Sequence, residues 1–186
     1  MAEIDSIGLI ELSSIARGFV VEDAMIKAAQ VEVLMARTIC SGKFLIAVCG
    51  DVAAVGASLE AGAASGRGSI IEKRHISRVH PSIFPAIAGS VSLELAQARA
   101  MGIIETFSAS SIIEVADAAV KAANVILFRV HLAMALGGKG FVLLTGDVAS
   151  VEAAVAAGSA VAGKDGILVD RQVIPSPSRE LFREFL

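Results

Sequence analysis

The feature that most constrains this chain is an internal repeat that covers most of its 186 residues. The stretch IGLIELSSIARGFVVEDAMIKAAQV, which starts at Ile7, aligns with MGIIETFSASSIIEVADAAVKAANV, which starts at Met101. GKFLIAVCGDVAAV, from Gly42, aligns in the same way with GKGFVLLTGDVASV, from Gly138. The offset between the copies is therefore 94 residues in the first stretch and 96 in the second. Matches of this length indicate a tandem duplication, so the fold must be one that the chain can build twice.

Each copy carries a pattern of six short elements in the order β-α-β-β-α-β. Apolar and β-branched runs predict the strands, and helical apolar spacing predicts the helices, the second of which Asp51 caps. The predicted elements of the first copy are strands 8–12, 31–39, 43–49 and 70–76 and helices 23–30 and 51–66. This order is that of the ferredoxin-like fold, an α/β (α+β) arrangement. We therefore predict two tandem ferredoxin-like domains, over residues 4–90 and 99–186.

The ends of the two copies are predicted to match through VHPS at Val79 and VIPS at Val173, which returns the offset to 94. The match requires the second copy to lose the two residues that it gained before Gly138. Residues 81–98 then connect the copies, either as part of a helix or as an irregular link.

Composition argues against several classes of protein. Hydrophobic residues make up 55% of the chain and charged residues 19%, which is unlike a disordered chain. No apolar run reaches the ~18 residues that a membrane span requires, and the acidic start of the chain lacks the basic residues of a signal peptide. A net charge of −3 without Trp or Tyr argues against nucleic-acid binding. We expect a cytoplasmic chain without membrane or nucleic-acid partners, whose apolar excess lies at subunit interfaces.

The helices DAMIKAAQV and DAAVKAANV, each followed by a Gly-Lys pair and then by GDV, resemble those of bacterial microcompartment shell proteins. The resemblance covers nearly the whole chain, and two copies in one chain are the pattern of the tandem-domain members, which assemble as trimers shaped like hexamers. It implies a non-enzymatic protein of the microcompartment shell that forms a homotrimer and tiles beside other shell proteins. Lys27 and Lys121, at matching positions of the two copies, would then make contacts at the edge of the tile.

The stretch RTICSGKF places Cys40 in the predicted turn between the second and third strands. It resembles a stretch in tandem-domain shell proteins of propanediol-utilisation compartments, in which this loop lines the pore and its cysteine binds an iron–sulfur cluster. The resemblance therefore implies one [4Fe–4S] cluster per trimer, bound by three Cys40 thiolates. Such a cluster would carry electrons across the shell, to or from a redox enzyme of the lumen or the cytosol. The residues implied to surround the pore and the cluster are Ser41, Gly42, Gly137 and Gly138.

Other interpretations of the same residues stay open. Cys40 could pack as a small apolar side chain in a trimer whose pore holds no cluster and passes small metabolites. The duplicated fold could also form a soluble ligand-binding module or an enzyme, because ferredoxin-like domains host many functions. The enclosed pathway is open as well, since ethanolamine, choline or another substrate is as compatible with the sequence as propanediol.

The remaining chemically interesting residues are predicted to be structural. Cys49 lies in a strand and is expected in the core. The Gly-Lys pairs do not form phosphate-binding loops, because Arg37 and Ala133 occupy the place of the first glycine of that motif. Glu11 and Glu105 are matched between the copies, which favours a structural role in each repeat over a catalytic pair. The three histidines lack the spacing of metal ligands.

Overall fold

The computed structural model describes residues 4–94, 97, 99–132 and 137–183, and its internal contacts divide the chain into two units after Val79. The first unit contains strands β1 (Ser6–Leu12), β2 (Glu32–Ile39), β3 (Lys43–Gly50) and β4 (Ile70–Ser77) and helices α1 (Ile15–Ala28) and α2 (Val52–Gly66). The second unit contains strands β5 (Ala100–Thr106), β6 (Ile126–Leu132), β7 (Gly140–Gly146) and β8 (Leu168–Ile174) and helices α3 (Ile83–Ala88), α4 (Ile112–Ala122), α5 (Val148–Lys164) and α6 (Arg179–Arg183). No described helix is long and apolar enough to cross a membrane.

The two units share one sheet topology, which confirms the predicted ferredoxin-like order. The strands lie in the order β2-β3-β1-β4 in the first unit and β6-β7-β5-β8 in the second, and all neighbours are antiparallel. Helices α1 and α2 pack against each other in the first unit, as α4 and α5 do in the second. The hairpin that carries Cys40 therefore lies at the β2 edge of its sheet.

Helix α1 begins earlier than the sequence pattern predicted, at Ile15 rather than at residue 23. The Ser14 hydroxyl oxygen accepts a hydrogen bond from the backbone N–H of Arg17, at 3.3 Å, and so caps the helix. Gly18, Val21 and Met25 face the core at helical spacing. The sequence pattern missed the first turns of α1 because the first buried residue of its core-facing side is Gly18, and glycine is not counted as an apolar residue in such a pattern. The second predicted cap is confirmed, since the Asp51 carboxylate accepts from Ala54 N–H at 2.8 Å.

The predicted match between VHPS and VIPS is wrong. Glu72 lies opposite Glu11 in the first sheet, and Asp170 lies opposite Glu105 in the second, so β4 and β8 are offset by 98 residues and not by 94. The second copy gains residues here instead of losing them, because α5 has 17 residues where α2 has 15. Val173 consequently lies inside β8, whereas Val79 lies beyond the end of β4.

In each unit the first helix crosses the third strand at a contact between one bulky residue and one glycine. The bulky residue is on the strand in the first unit and on the helix in the second. In the first unit, a Cβ atom added at Gly18 would overlap the ring of Phe44. In the second unit the equivalent residues are reversed, and a Cβ atom added at Gly140 would lie 2.8 Å from Ile112 Cβ. Each crossing is therefore filled by one bulky side chain and one glycine, at the close packing typical of protein cores.

The chain that follows β4 packs on the second unit. Helix α3 contacts β6 and α4, with Ile83 and Ala86 fully buried. The backbone N–H of His80 donates to Asp117 Oδ1 at 2.7 Å. The stretch 81–98 thus contains a helix, and the structure groups residues from His80 onward with the second unit, ahead of the predicted first-domain limit at residue 90.

Candidate functional site at the β2–β3 hairpin

Cys40 opens the tight turn that joins β2 to β3. Ile39 lies opposite Lys43 at the end of the hairpin, and Cys40 to Gly42 form a single 3-10 turn between them. Ser41 and Gly42 both have left-handed backbone angles, with φ of 67° and 70°. Gly42 adopts this conformation without steric cost, whereas Ser41 holds it under strain. The structure therefore brings three of the predicted site residues, Cys40, Ser41 and Gly42, into one turn.

The two cysteines have different environments. Cys40 is partly exposed, while Cys49 is buried in β3. Burial, together with the nearby carboxylate of Glu32, raises the pKa of the Cys49 thiol to about 11. A thiol with such a pKa stays protonated near neutral pH and is a poor nucleophile and a poor metal ligand. Cys49 is a core residue, as predicted, and Cys40 is the only described cysteine placed for chemistry.

We expect a thiol-specific alkylating reagent at pH 8 to modify one cysteine per chain in the folded, cluster-free protein. With a pKa of about 11, only about one Cys49 side chain in a thousand is a thiolate at that pH. Mass spectrometry of the digested protein identifies the modified residue, and the protein in urea, where both cysteines should react, is the control. Rapid modification of Cys49 in the folded protein would contradict the buried environment described here.

An ion pair anchors the base of this hairpin. Lys43 Nζ lies 2.6 Å from Glu11 Oε1, and the Glu11 side chain is only 7% exposed. The second unit repeats the pair, with Lys139 Nζ at 2.9 Å from Glu105 Oε1. The prediction that the two glutamates are structural is confirmed, and the Gly-Lys lysines prove to be their partners. The sequence contained the signal for this pairing, because both residues recur at matching positions of the repeat.

We expect Lys43→Met to destabilise the chain by about 1–3 kcal/mol, because it leaves the buried Glu11 carboxylate without its donor. The matched variant Lys139→Met should cost less than about 1 kcal/mol, since the Glu105 side chain is 34% exposed and can bind water. Urea denaturation of both variants at one protein concentration measures the two costs. Equal losses of stability would show that burial does not distinguish the two pairs.

The second hairpin is described only in part. Met134 and Ala135, which align with Cys40, lie outside the described residues. Gly137 and Gly138 both have left-handed backbone angles, with φ of 64° and 92°. The Gly138 carbonyl oxygen accepts a hydrogen bond from Ala109 N–H at 3.0 Å, so the connection between β5 and α4 holds this end of the loop. The implied place of Gly137 and Gly138 beside the pore and the cluster stays a prediction.

The two predicted edge lysines occupy equivalent places in the last turns of α1 and α4. Lys27 Nζ lies 2.7 Å from Asp23 Oδ2, and Lys121 forms the same ion pair with Asp117. Both lysines remain partly or largely exposed. Their proposed contact with a neighbouring tile stays a prediction.

Sequence reasoning passed over Arg37, which lies on β2 before the cysteine turn. Its Nε atom is buried and has no hydrogen-bond partner among the described residues. Burial also lowers the pKa of the Arg37 guanidinium from its ordinary value. The equivalent position of the second unit is His131, which stacks on Phe141 with ring centroids 4.9 Å apart. Neither the phosphate-loop motif that Arg37 breaks nor its alignment with His131 indicates that the Arg37 side chain is buried.

Comparisons with known proteins agree on one family. The model of the BMC domain matches the chain twice, over residues 6–79 and 100–177. The chain is 42% identical over 181 residues to bacterial microcompartment shell protein PduT of Citrobacter freundii, with 97% of each chain covered. It is 43% identical over 87 residues to shell protein EutM of Escherichia coli K12, covering 47% of this chain and 88% of EutM.

A solved structure agrees with these relatives. The crystal structure of a microcompartment protein from Desulfitobacterium hafniense DCB superposes with a TM-score of 0.93 at 49% identity, covering 97% of this chain and 99% of that one. The chain therefore belongs to the BMC domain family and is a structural shell protein of a bacterial microcompartment.

Proposed function

We propose that three copies of this chain form a shell tile in which three Cys40 thiolates bind one [4Fe–4S] cluster at the axis of the trimer. The observation that carries the proposal is the place of Cys40, partly exposed in the turn at the end of the β2–β3 hairpin. The resemblance of RTICSGKF to cluster-binding members of the family supports it.

The donor set fits a cluster that is shared between chains. Among the described residues, no group of three or more His, Cys, Asp or Glu side chains gathers to hold a metal ion. One accessible thiol per chain therefore needs thiols from other copies. Three copies supply three thiolates, which bind three irons of a four-iron cluster and leave the fourth iron for another ligand.

The residues around Cys40 would set the properties of such a site. The turn would fix the backbone that carries the thiol, since Ser41 is held in a left-handed conformation that few side chains adopt. The backbone N–H groups of Ser41 and Gly42 are the closest donors along the chain, and hydrogen bonds to cluster sulfurs raise the reduction potential. The Lys43–Glu11 ion pair holds the strand that leaves the turn. When bound, the cluster supplies a one-electron redox centre for transfer across the shell, to or from a redox enzyme on one side of it.

The test is the iron and acid-labile sulfide content of anaerobically purified protein, with its visible spectrum. We expect about four irons and four sulfides per three chains and a broad absorption band near about 400 nm. A trimer that is colourless and free of iron after chemical reconstitution would leave a tile with an open pore, the alternative in which Cys40 only lines the channel.

Tiling is tested separately from the cluster. We expect the purified protein to form extended sheets, alone or mixed with a single-domain shell protein, in negative-stain electron microscopy. We also expect no catalytic turnover by the chain itself. A trimer that stays soluble and never tiles would favour a ligand-binding module instead.

A further inference from the structure

Arg37 is a partly buried cation on β2 that forms no ion pair with any described residue. Its Nε atom is buried and finds no hydrogen-bond partner in the same part of the chain. Burial lowers the pKa of its guanidinium, and no described carboxylate counteracts this effect. A charge that is taken out of water without a partner lowers the stability of a fold, so Arg37 is kept at a cost to stability.

The two carboxylates in line with Arg37 across the sheet are bound by other cations. Arg37 lies opposite Leu45 on β3, and Leu45 lies opposite Glu11 on β1. Glu72 continues this row on β4, so all of these side chains share one face of the sheet. Glu11 forms the ion pair at the base of the hairpin, and Glu72 pairs with Arg74. Arg37 is therefore the cation on this face that is left without an anion.

The second unit has a histidine in place of this arginine. His131 occupies the equivalent position and stacks on Phe141, its neighbour on β7. The second copy also lacks a cysteine at the place of Cys40, where Met134 or Ala135 falls in the sequence. The unpaired arginine and the cysteine of the turn thus occur together, in the same copy of the repeat.

The β2–β3 turn would bring the missing anion close to Arg37 in the proposed trimer. Arg37 precedes Cys40 by three residues, so their Cα atoms are at most about 11 Å apart. Lys43 also lies next to the turn, but its charge is neutralised by Glu11. Three thiolates make a cluster site anionic, and an electron that the site takes up adds one more negative charge. Of these two cations beside the turn, only Arg37 has a charge that is not already paired.

We propose that Arg37 raises the reduction potential of the cluster bound by Cys40, because it places an unpaired positive charge near the turn of each copy. The inference rests on the proposed function and deepens it by naming the residue that tunes the cluster. Reduction adds one electron, which the redox enzyme supplies, and needs no proton, so a nearby cation favours the reduced form. Coulomb's law with an effective dielectric constant of about 20 gives about a tenfold effect on this equilibrium for one charge at about 12 Å. Three copies supply three such charges, which leaves a margin for screening by salt and water.

The test is the reduction potential of the cluster in the wild-type trimer and in Arg37→Met, measured from the visible spectrum in a titration with redox mediators. At the wild-type midpoint potential, we expect the ratio of reduced to oxidised cluster to be at least tenfold lower in the variant, a fall of about 59 mV or more for a one-electron couple. Arg37→Lys keeps the charge and should stay within about twofold of the wild-type ratio. Lys73→Met is the matched control, because it removes a charge that is paired with Glu60 on the opposite edge strand, and it should change the ratio less than about twofold.

Iron content and stability separate the ways in which the proposal can fail. A wild type without iron would refute the cluster and this role of Arg37 with it, whereas an iron-loaded Arg37→Met with the wild-type potential would overturn the role of Arg37 alone. The cluster-free Arg37→Met trimer should unfold at the same urea concentration as the cluster-free wild type or at a higher one, because the variant removes a desolvated charge. Unfolding at a lower concentration would mean that Arg37 is bound to another group of the trimer, which would also overturn the proposal. Arg37→Gln, which keeps a donor without the charge, replaces Arg37→Met where the latter takes up no iron, and it should show the same fall in potential.

Discussion

Replacing Cys40 by serine is expected to remove all iron, sulfide and visible absorption from the protein while the trimer persists. Thiolates are the soft ligands that iron–sulfur clusters require, and a serine hydroxyl stays protonated and binds iron weakly. The loss should be complete rather than partial, because the symmetry of the trimer removes all three ligands with one substitution. The fold should tolerate the change, since Cys40 lies in a partly exposed turn and not in the core.

The matched control is Cys49→Ser, which alters the other cysteine. Its thiol is buried in β3 and has a pKa of about 11, so it should contribute nothing to cluster binding. We expect this variant to keep about four irons per trimer, with some loss of stability because a polar hydroxyl replaces a buried thiol. Iron retained by Cys40→Ser, or lost only from Cys49→Ser, would place the ligands elsewhere in the chain.

The repeat made most of the fold predictable from the sequence. Each strand and helix could be predicted twice, once from each copy, and the structure has the shared β-α-β-β-α-β order. The sequence pattern failed where side-chain packing determines which residues belong to a helix. Helix α1 includes Gly18 in its buried stripe because the Phe44 ring fills the space above it, and no apolar period shows that.

The alignment of the ends failed for a different physical reason. VHPS and VIPS look alike, but register in a sheet is set by which residues pair across strands, and the pairing of Glu11 and Glu105 gives an offset of 98 for β4 and β8. Two extra residues in α5 move β8 along the sequence without changing its place in the sheet. Local similarity therefore could not reveal the register.

The residues of the cysteine turn could be predicted from the sequence, but the side-chain contacts around the turn could not. The turn at Cys40 followed from the Ser41-Gly42 pair between two strands, and the structure confirms it. The Lys43–Glu11 ion pair and the burial of Arg37 Nε depend on neighbouring strands in the sheet, where residues far apart in the sequence meet. Recurrence in the repeat marks Glu11 and Lys43 as matched residues, but only the pairing of the strands shows that their side chains meet.

We expect Gly18→Ile to destabilise the first unit by at least about 3 kcal/mol, because even a Cβ atom at this position would overlap the Phe44 ring. Phe44→Gly should cost about 3–5 kcal/mol, since it empties a fully packed site beside the hairpin. The second unit already uses the reversed pair, Ile112 with Gly140. The double variant Gly18→Ile/Phe44→Gly should therefore be more stable than the sum of the single changes predicts, by about 1.5 kcal/mol or more.

Urea denaturation of the four proteins in this cycle, at one protein concentration, gives the coupling energy. The control is a double variant of distant sites, Gly18→Ile with Ile112→Gly, whose two effects should simply add because the residues lie in separate units. A compensating coupling in the first cycle and none in the second would show that the two repeats are alternative packings of one helix–strand crossing. Additive losses in both cycles would contradict this interpretation. They would mean that the residues around Gly18 cannot pack against an isoleucine there even when Phe44 is replaced by glycine.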